Sequence, residues 1–181
     1  MRTLSMFERT MREQFGGLAV PLQVFHRLQG THELHGWVET AAPASFLARL
    51  MGRLLGTPQV ATRGPIRFVL QASPDSEVWT RHFPDRVMTS TMRRCDTHVE
   101  ECLGPSRLAF VLLESEGRLV MQLKSMRFLG VPCPAWLMPT IQAQESAQGN
   151  QLHFQVHASL PWVGTVAGYS GHLVIPMGDS A

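Results

Sequence analysis

Between Ala44 and Leu55 apolar residues recur at helical spacing, so that Phe46, Leu47, Leu50, Met51, Leu54 and Leu55 form one stripe with Arg49 and Arg53 opposite it. The pattern predicts an amphipathic helix over about 44–55, stopped by Gly56. Two shorter helices are predicted before it, over 6–15 and 21–28. Met6, Phe7, Thr10 and Met11 line one side of the first, which Gly16-Gly17 ends; the second carries Pro21 in its first turn and ends before Gly30. From Pro65 onward the period shortens to two. Together with an early strand over His32–Thr40, the candidate strands are Ile66–Gln71, Glu77–Phe83, Arg86–Met92, His98–Leu103, Arg107–Glu114, Arg118–Phe128, Thr140–Ser146, Gln151–Leu160 and Ala167–Ile175.

The breaks between these strands are short and rich in turn formers: Ser73-Pro74-Asp75-Ser76, Pro84-Asp85, Gly104-Pro105, Glu116-Gly117 and Gln148-Gly149-Asn150. Successive tight turns imply an antiparallel meander. Nine to ten strands exceed what a flat sheet tolerates, so the sheet is expected to curl into a strongly curved or barrel-like form. The expected fold is therefore α+β and mainly antiparallel β. It forms a single domain over 1–181, with a β-rich body at 32–175 and the 44–55 helix packed on it. That helix is expected to bury its stripe against the sheet; a helix with arginines on its back that lies on a membrane surface is the alternative.

Composition narrows the function classes. The chain has 181 residues, 44% of them apolar and 17% charged, and no apolar run approaches the roughly 18 residues of a membrane span. Residues Met1–Arg9 contain no continuous apolar stretch of the secretory kind, and the expected location is cytoplasmic. The net charge of +2 comes from arginines and one lysine, Lys124; apart from Arg93-Arg94 the arginines are scattered, which argues against a nucleic-acid partner. Cys95, Cys102 and Cys133 are odd in number and lack Cys-x-x-Cys spacing, against both a disulfide framework and a zinc knuckle. Of the eight histidines, His32 and His35 fall on opposite strand faces, and His153 and His157 would lie about 13 Å apart along a strand. No metal and no cofactor is expected.

Catalytic motifs are absent as well: there is no Gly-x-Ser-x-Gly elbow, and no catalytic residue is assigned. What remains is a set of polar residues on apolar faces. Alternation puts Glu77, Trp79, Arg81 and Phe83 on one face of their strand. That set suits a cavity wall in which Arg81 fixes an acidic head and Trp79 covers the body of an amphipathic ligand. The structural alternative has Glu77 and Arg81 pairing at the surface while Trp79 fills the core. On the long strand, Leu119, Met121, Leu123, Ser125 and Arg127 share a face, which makes Arg127 an inward charge with Glu145 or a ligand anion as partner. Lys124 is a candidate Schiff-base amine by position alone, with a snorkelling strand lysine as the plainer reading. Ten methionines and the corner Cys133–Met138, with Trp136, suit an adaptable apolar surface.

Several segments resemble a bacterial family known as domain-of-unknown-function family 4166, found alone or fused behind NAD(P)-binding domains like that of saccharopine reductase. These are Glu77-Val78-Trp79-Thr80-Arg81-His82-Phe83, Leu103-Gly104-Pro105-Ser106-Arg107-Leu108, Arg127-Phe128-Leu129-Gly130-Val131-Pro132-Cys133-Pro134, Leu137-Met138-Pro139, Leu160-Pro161 and Tyr169-Ser170-Gly171-His172-Leu173. The resemblance runs from about Phe7 to Ile175, and departs from the family where Ser170 replaces its usual arginine. It implies no known activity, but it hints at a redox enzyme as companion.

The preferred reading is a non-catalytic domain that binds a hydrophobic or amphipathic small molecule, lipid-like or isoprenoid-like. Arg81, Arg127 and Tyr169 are its candidate polar anchors, with Glu77 and Glu145 beside them, and Trp79, Phe83 and Trp136 line the apolar part. One alternative is an interaction domain whose Val131–Pro139 segment docks on an NAD(P)-dependent reductase. Another is a small enzyme acting on a carbonyl compound through Lys124 or Glu77.

Overall fold

A computed structural model describes residues 3–176. Two short helices, α1 (Met6–Met11) and α2 (Val20–His26), flank a 3-10 turn over Arg12–Gly17. Local chemistry fixes their starts. Ser5 and Glu8 form a reciprocal capping box at α1, and Pro21 occupies the first turn of α2, where a missing N–H costs nothing. The strands are β1 (Gly30–Ala41), β2 (Thr62–Ala72), β3 (Ser76–His82), β4 (Val87–Cys95), β5 (His98–Leu103), β6 (Ser106–Ser115), β7 (Arg118–Phe128), β8 (Val131–Pro132), β9 (Thr140–Gln148), β10 (Gln151–Leu160) and β11 (Gly164–Val174). Helix α3 (Phe46–Leu55) bridges β1 and β2.

All pairings are antiparallel, in the order β6-β5-β4-β3-β2-β1-β11-β10-β9-β7-β8. Because β6 also pairs with β7, ten strands close into a barrel and β8 is a short extra strand on the edge of β7. Closure is uneven. β6 and β7 pair along their whole length, whereas β7 and β9 meet only over Leu119↔Glu145, Val120↔Gln144 and Met121↔Ala143. Elsewhere the wall is tight enough to demand glycine: a Cβ on Gly36 of β1 would lie 1.8 Å from the His172 carbonyl oxygen on β11.

The two ends of the barrel differ. At one, α1 and α2 form a plug: Met6, Phe7, Met11, Phe15, Leu22 and Phe25 join the inward residues of the strands in one buried cluster. Arg9 pairs with Asp75 in the β2–β3 turn at 2.7 Å, and Ala19 N–H donates to Gly117 in the β6–β7 turn at 2.9 Å. At the other end lies α3, capped by Ser45 and stopped by Gly56 in the left-handed conformation. The Ser45 hydroxyl donates to Val163 O at 2.8 Å, which ties the helix start to the β10–β11 turn.

Two expectations change here. Helix α3 does not bury its large residues as a stripe. Ala48 and Gly52 face the barrel, Met51 and Leu55 are partly buried, and Phe46, Leu47, Leu50 and Leu54 are exposed. The cause is the close approach of its backbone to the barrel wall: a Cβ on Gly52 would lie 3.3 Å from the Val166 carbonyl oxygen of β11 and 2.5 Å from Gln59 Nε2, so the small-residue line is the one that fits. The second change is on β7, where the register with β6 shifts. Ala109 opposes Ser125 but Phe110 opposes Leu123, leaving Lys124 as the extra residue of a bulge. One extra residue reverses the inward parity, so Met126 is buried while Arg127 is exposed.

Candidate functional site in the barrel interior

The β3 alternation places Glu77, Trp79, Arg81 and Phe83 inside the barrel, all buried. They do not act as one group. Trp79 belongs to the plug end, against Phe7, Phe25 and Phe68 with ring centroids 5.5–6.2 Å away, and its indole N–H donates to Glu77 Oε2 at 2.7 Å. Glu77 is buried beside it, and desolvation pushes its carboxyl pKa up from 4.5 to about 7, against the opposing pull of His26 and of the indole hydrogen bond. His26, the last residue of α2, is buried as well. Its Nε2 lies 2.7 Å from Glu145 Oε2 on β9, so the plug is tied to the wall by a buried imidazole–carboxylate contact.

Arg81 lies further toward the α3 end. Its guanidinium donates to the Ser90 hydroxyl at 3.1 Å, stands 4.0 Å from Glu101 Oε1, and covers the faces of Trp79 and Phe68 at 5.0 and 5.8 Å. Such a cation is held by one long ion pair and two ring faces rather than by a bidentate carboxylate. Tyr169 of β11 packs edge-on to Phe83 at 5.2 Å. Burial raises its hydroxyl pKa, and the nearby Arg81 partly offsets that rise.

The interior beside this cluster is not filled. A cavity of about 140 Å³ extends from Phe25, Trp79 and Glu145 to Met51 and Leu55 of α3. One water needs roughly 10–15 Å³ by the same measure, so the space exceeds a few solvent molecules. Five methionines, Met51, Met88, Met92, Met121 and Met126, line it with leucines and phenylalanines. Arg81, Glu101, Glu145 and Tyr169 supply polar groups in its wall.

Of the residues singled out in the sequence, Trp79, Arg81, Glu145 and Tyr169 line this cavity; Glu77 and Phe83 are buried next to it. Arg127 and Trp136 do not. Arg127 points outward for the parity reason above, and Glu145 is paired with His26 instead of Arg127. Trp136 is exposed near the α3 end, its ring 6.1 Å from that of Trp162. Lys124 stands exposed on the bulge, outside the cavity. The surface pairing of Glu77 with Arg81 does not occur, since both are buried with other partners. Sequence reasoning missed Glu101 and His26. Glu101 was legible, because Val99, Glu101 and Leu103 share a strand face, an acid between two apolar residues. The His26 partnership spans 119 positions and had no local signal. Among the described residues no group of three or more His, Cys, Asp or Glu side chains is placed to hold a metal ion. No helix among them is long and apolar enough to cross a membrane.

Comparison with known proteins agrees with the motif pattern. The family model for a domain of unknown function, DUF4166, matches residues 18–173. The chain belongs to this family. No curated protein matches the sequence. Among solved structures, a protein of unknown function of the DUF3598 family from Nostoc punctiforme is similar at 12% identity with a TM-score of 0.46. That similarity covers 82% of this chain and 47% of the other, so the chain spans about half the length of that relative.

Proposed function

We propose that this DUF4166 chain is a single, non-catalytic binding domain for a hydrophobic or amphipathic small molecule, lipid-like or isoprenoid-like, held inside the barrel. The supporting observation is the open interior: about 140 Å³ left unfilled among methionines, with Arg81, Glu101, Glu145 and Tyr169 meeting in its wall. A packed β-barrel of purely structural purpose has no use for such a void, because unfilled interior volume forfeits dispersion contacts and destabilises the fold. Methionine walls adapt to chains of different shape, and a few convergent polar groups fix one end. Arg81 is suited to the polar end of the guest: among the described residues its guanidinium donates one hydrogen bond, to a neutral hydroxyl, and the nearest carboxylate oxygen stands 4.0 Å away.

The carbonyl-enzyme alternative loses its main residue, because Lys124 stands in solvent. An interaction domain accompanying an NAD(P)-dependent reductase retains one observation in its favour, the exposure of Val131 and Trp136, but it predicts a filled interior. The test is to purify the protein natively, compare its mass under gentle and denaturing conditions, and extract what is released. A retained lipid or isoprenoid supports the binding reading; repeated preparations without any guest, together with no uptake of an apolar fluorescent probe, refute it.

A further inference from the structure

The α3 end of the barrel carries an apolar surface that the fold leaves uncovered. On α3, Phe46 is 83% exposed, and Leu47, Leu50 and Leu54 lie exposed beside it. The start of the helix adjoins the β10–β11 turn, whose tip is Trp162, also 83% exposed, with Trp136 against it. The end of the helix adjoins the β5–β6 turn, where a Cβ on Gly104 would lie 2.5 Å from Leu54 O. Pro105 O there accepts from the N–H of Leu129, a residue 73% exposed. Exposed apolar residues thus ring the end at which Met51 and Leu55 line the cavity.

Large apolar residues in the left-handed conformation, beside exposed arginines, mark this rim; the left-handed non-glycine residues at the plug end, Arg12, Asp96 and Glu116, are all polar. Leu129 and Trp162 have φ of 51° and 60°. The left-handed region disfavours bulky side chains, and turn tips there normally take Gly, Asn or Asp. Large apolar side chains are held outward at a conformational cost, which a purely solvated turn would avoid. Around the same end Arg49, Arg53, Arg107 and Arg127 are exposed, and no ion pair engages them among the described residues. Arg107 and Arg127 are direct cross-strand neighbours, a like-charge pair that calls for an external anion. At the plug end Arg12 and Arg93 are likewise exposed and outside any ion pair among the described residues, but Arg9 and Arg94 pair with Asp75, Arg27 with Glu8, and Arg118 with Glu116, and no apolar ring adjoins them. The acids at the rim are few: Asp85 accepts from Gln59 N–H, and Glu39 pairs with Arg63.

We propose that the α3 end of the barrel docks on an anionic lipid bilayer, with Phe46, Leu50, Trp136 and Trp162 in the headgroup region and the four arginines against lipid phosphates. A tryptophan-tipped apolar ring edged by cations matches the layered chemistry of a bilayer surface, apolar within and anionic at the interface. The inference holds whatever the cavity binds.

The test uses the whole chain and sedimentation with vesicles of phosphatidylcholine alone or of equimolar phosphatidylcholine and phosphatidylglycerol, at low and high ionic strength. The protein is expected to sediment with the anionic vesicles at low salt, with blue-shifted tryptophan emission, and to be released by high salt. Reversing Arg49 and Arg53 to Glu is expected to lower the partition coefficient at least roughly 30-fold. Trp162→Asn is expected to lower it roughly tenfold while leaving the melting temperature unchanged or higher, because Asn tolerates the left-handed conformation. Leu50→Glu, on an exposed helix face, is a second variant that preserves folding. Absence of sedimentation at low salt overturns the proposal, as does sedimentation that survives both the arginine reversal and Leu50→Glu. Self-association or capture of a protein partner through the same face, without vesicle binding, overturns it too.

Discussion

Glu77 makes the stability of this barrel depend on pH in an unusual direction. Its carboxyl is buried among Trp79 and the plug, and its pKa of about 7 in the folded chain stands above the ordinary 4.5. An acid with a raised folded pKa binds its proton more tightly in the native state. Below about pH 4.5 both states are protonated and nothing is lost. As pH rises from 4.5 to 7 the unfolded chain ionises freely while the folded chain resists, so stability falls across that window and levels off above it. A shift of this size corresponds to about 3 kcal/mol in full, of which about 2.5 kcal/mol falls between pH 5 and pH 8. Other groups titrate over the same range, so the informative quantity is the difference between the wild type and Glu77→Gln. The amide keeps an oxygen to accept from the Trp79 indole N–H and never ionises. Urea denaturation at pH 5 and pH 8 is expected to show the variant gaining about 2.5 kcal/mol on the wild type at the higher pH. In a chain of this size the corresponding difference in melting temperature is roughly 5–10 °C. Parallel pH dependence in the two proteins would refute the assignment of a raised pKa to the buried Glu77.

Three further outcomes are expected. Gly36→Ala drives a methyl group into the His172 carbonyl oxygen and should cost at least about 3 kcal/mol, seen as a lowered urea midpoint or as loss of soluble protein; near-neutral stability would show that β1 and β11 separate easily. Arg81→Met removes the cation facing Glu101 and should cost about 3 kcal/mol by leaving that carboxylate uncompensated, while also reducing retention of a guest with an anionic end; calorimetry and native mass spectrometry read the two effects separately. Ala143→Leu adds bulk to the cavity wall and should reduce uptake of an apolar fluorescent probe roughly tenfold with a stability change under about 2 kcal/mol, since the space beside it is open; unchanged uptake would place the probe elsewhere.

The architecture was legible because its signals are local. Period-two alternation with turn formers at short intervals marks the meander, and ten antiparallel strands have to curl. The inward face of β3 follows from side-chain parity alone, which is why Glu77, Trp79, Arg81 and Phe83 all proved buried. Parity fails once a residue is inserted, and the bulge at Lys124 is set by pairing with β6, so the outward turn of Arg127 was invisible in β7 itself. Helix α3 shows the same limit in another form. Its sequence determined an apolar stripe, but which part of that stripe meets protein depends on how close the backbone comes to its neighbours, and Gly52 against Val166 of β11 decides that. The contact between His26 and Glu145 and the void beside Arg81 arise from long-range closure of the barrel, which brings together residues that no local pattern relates. Sequence therefore determined the elements and their faces, whose physics is short-ranged. Register, helix rotation and cavity were decided by tertiary packing.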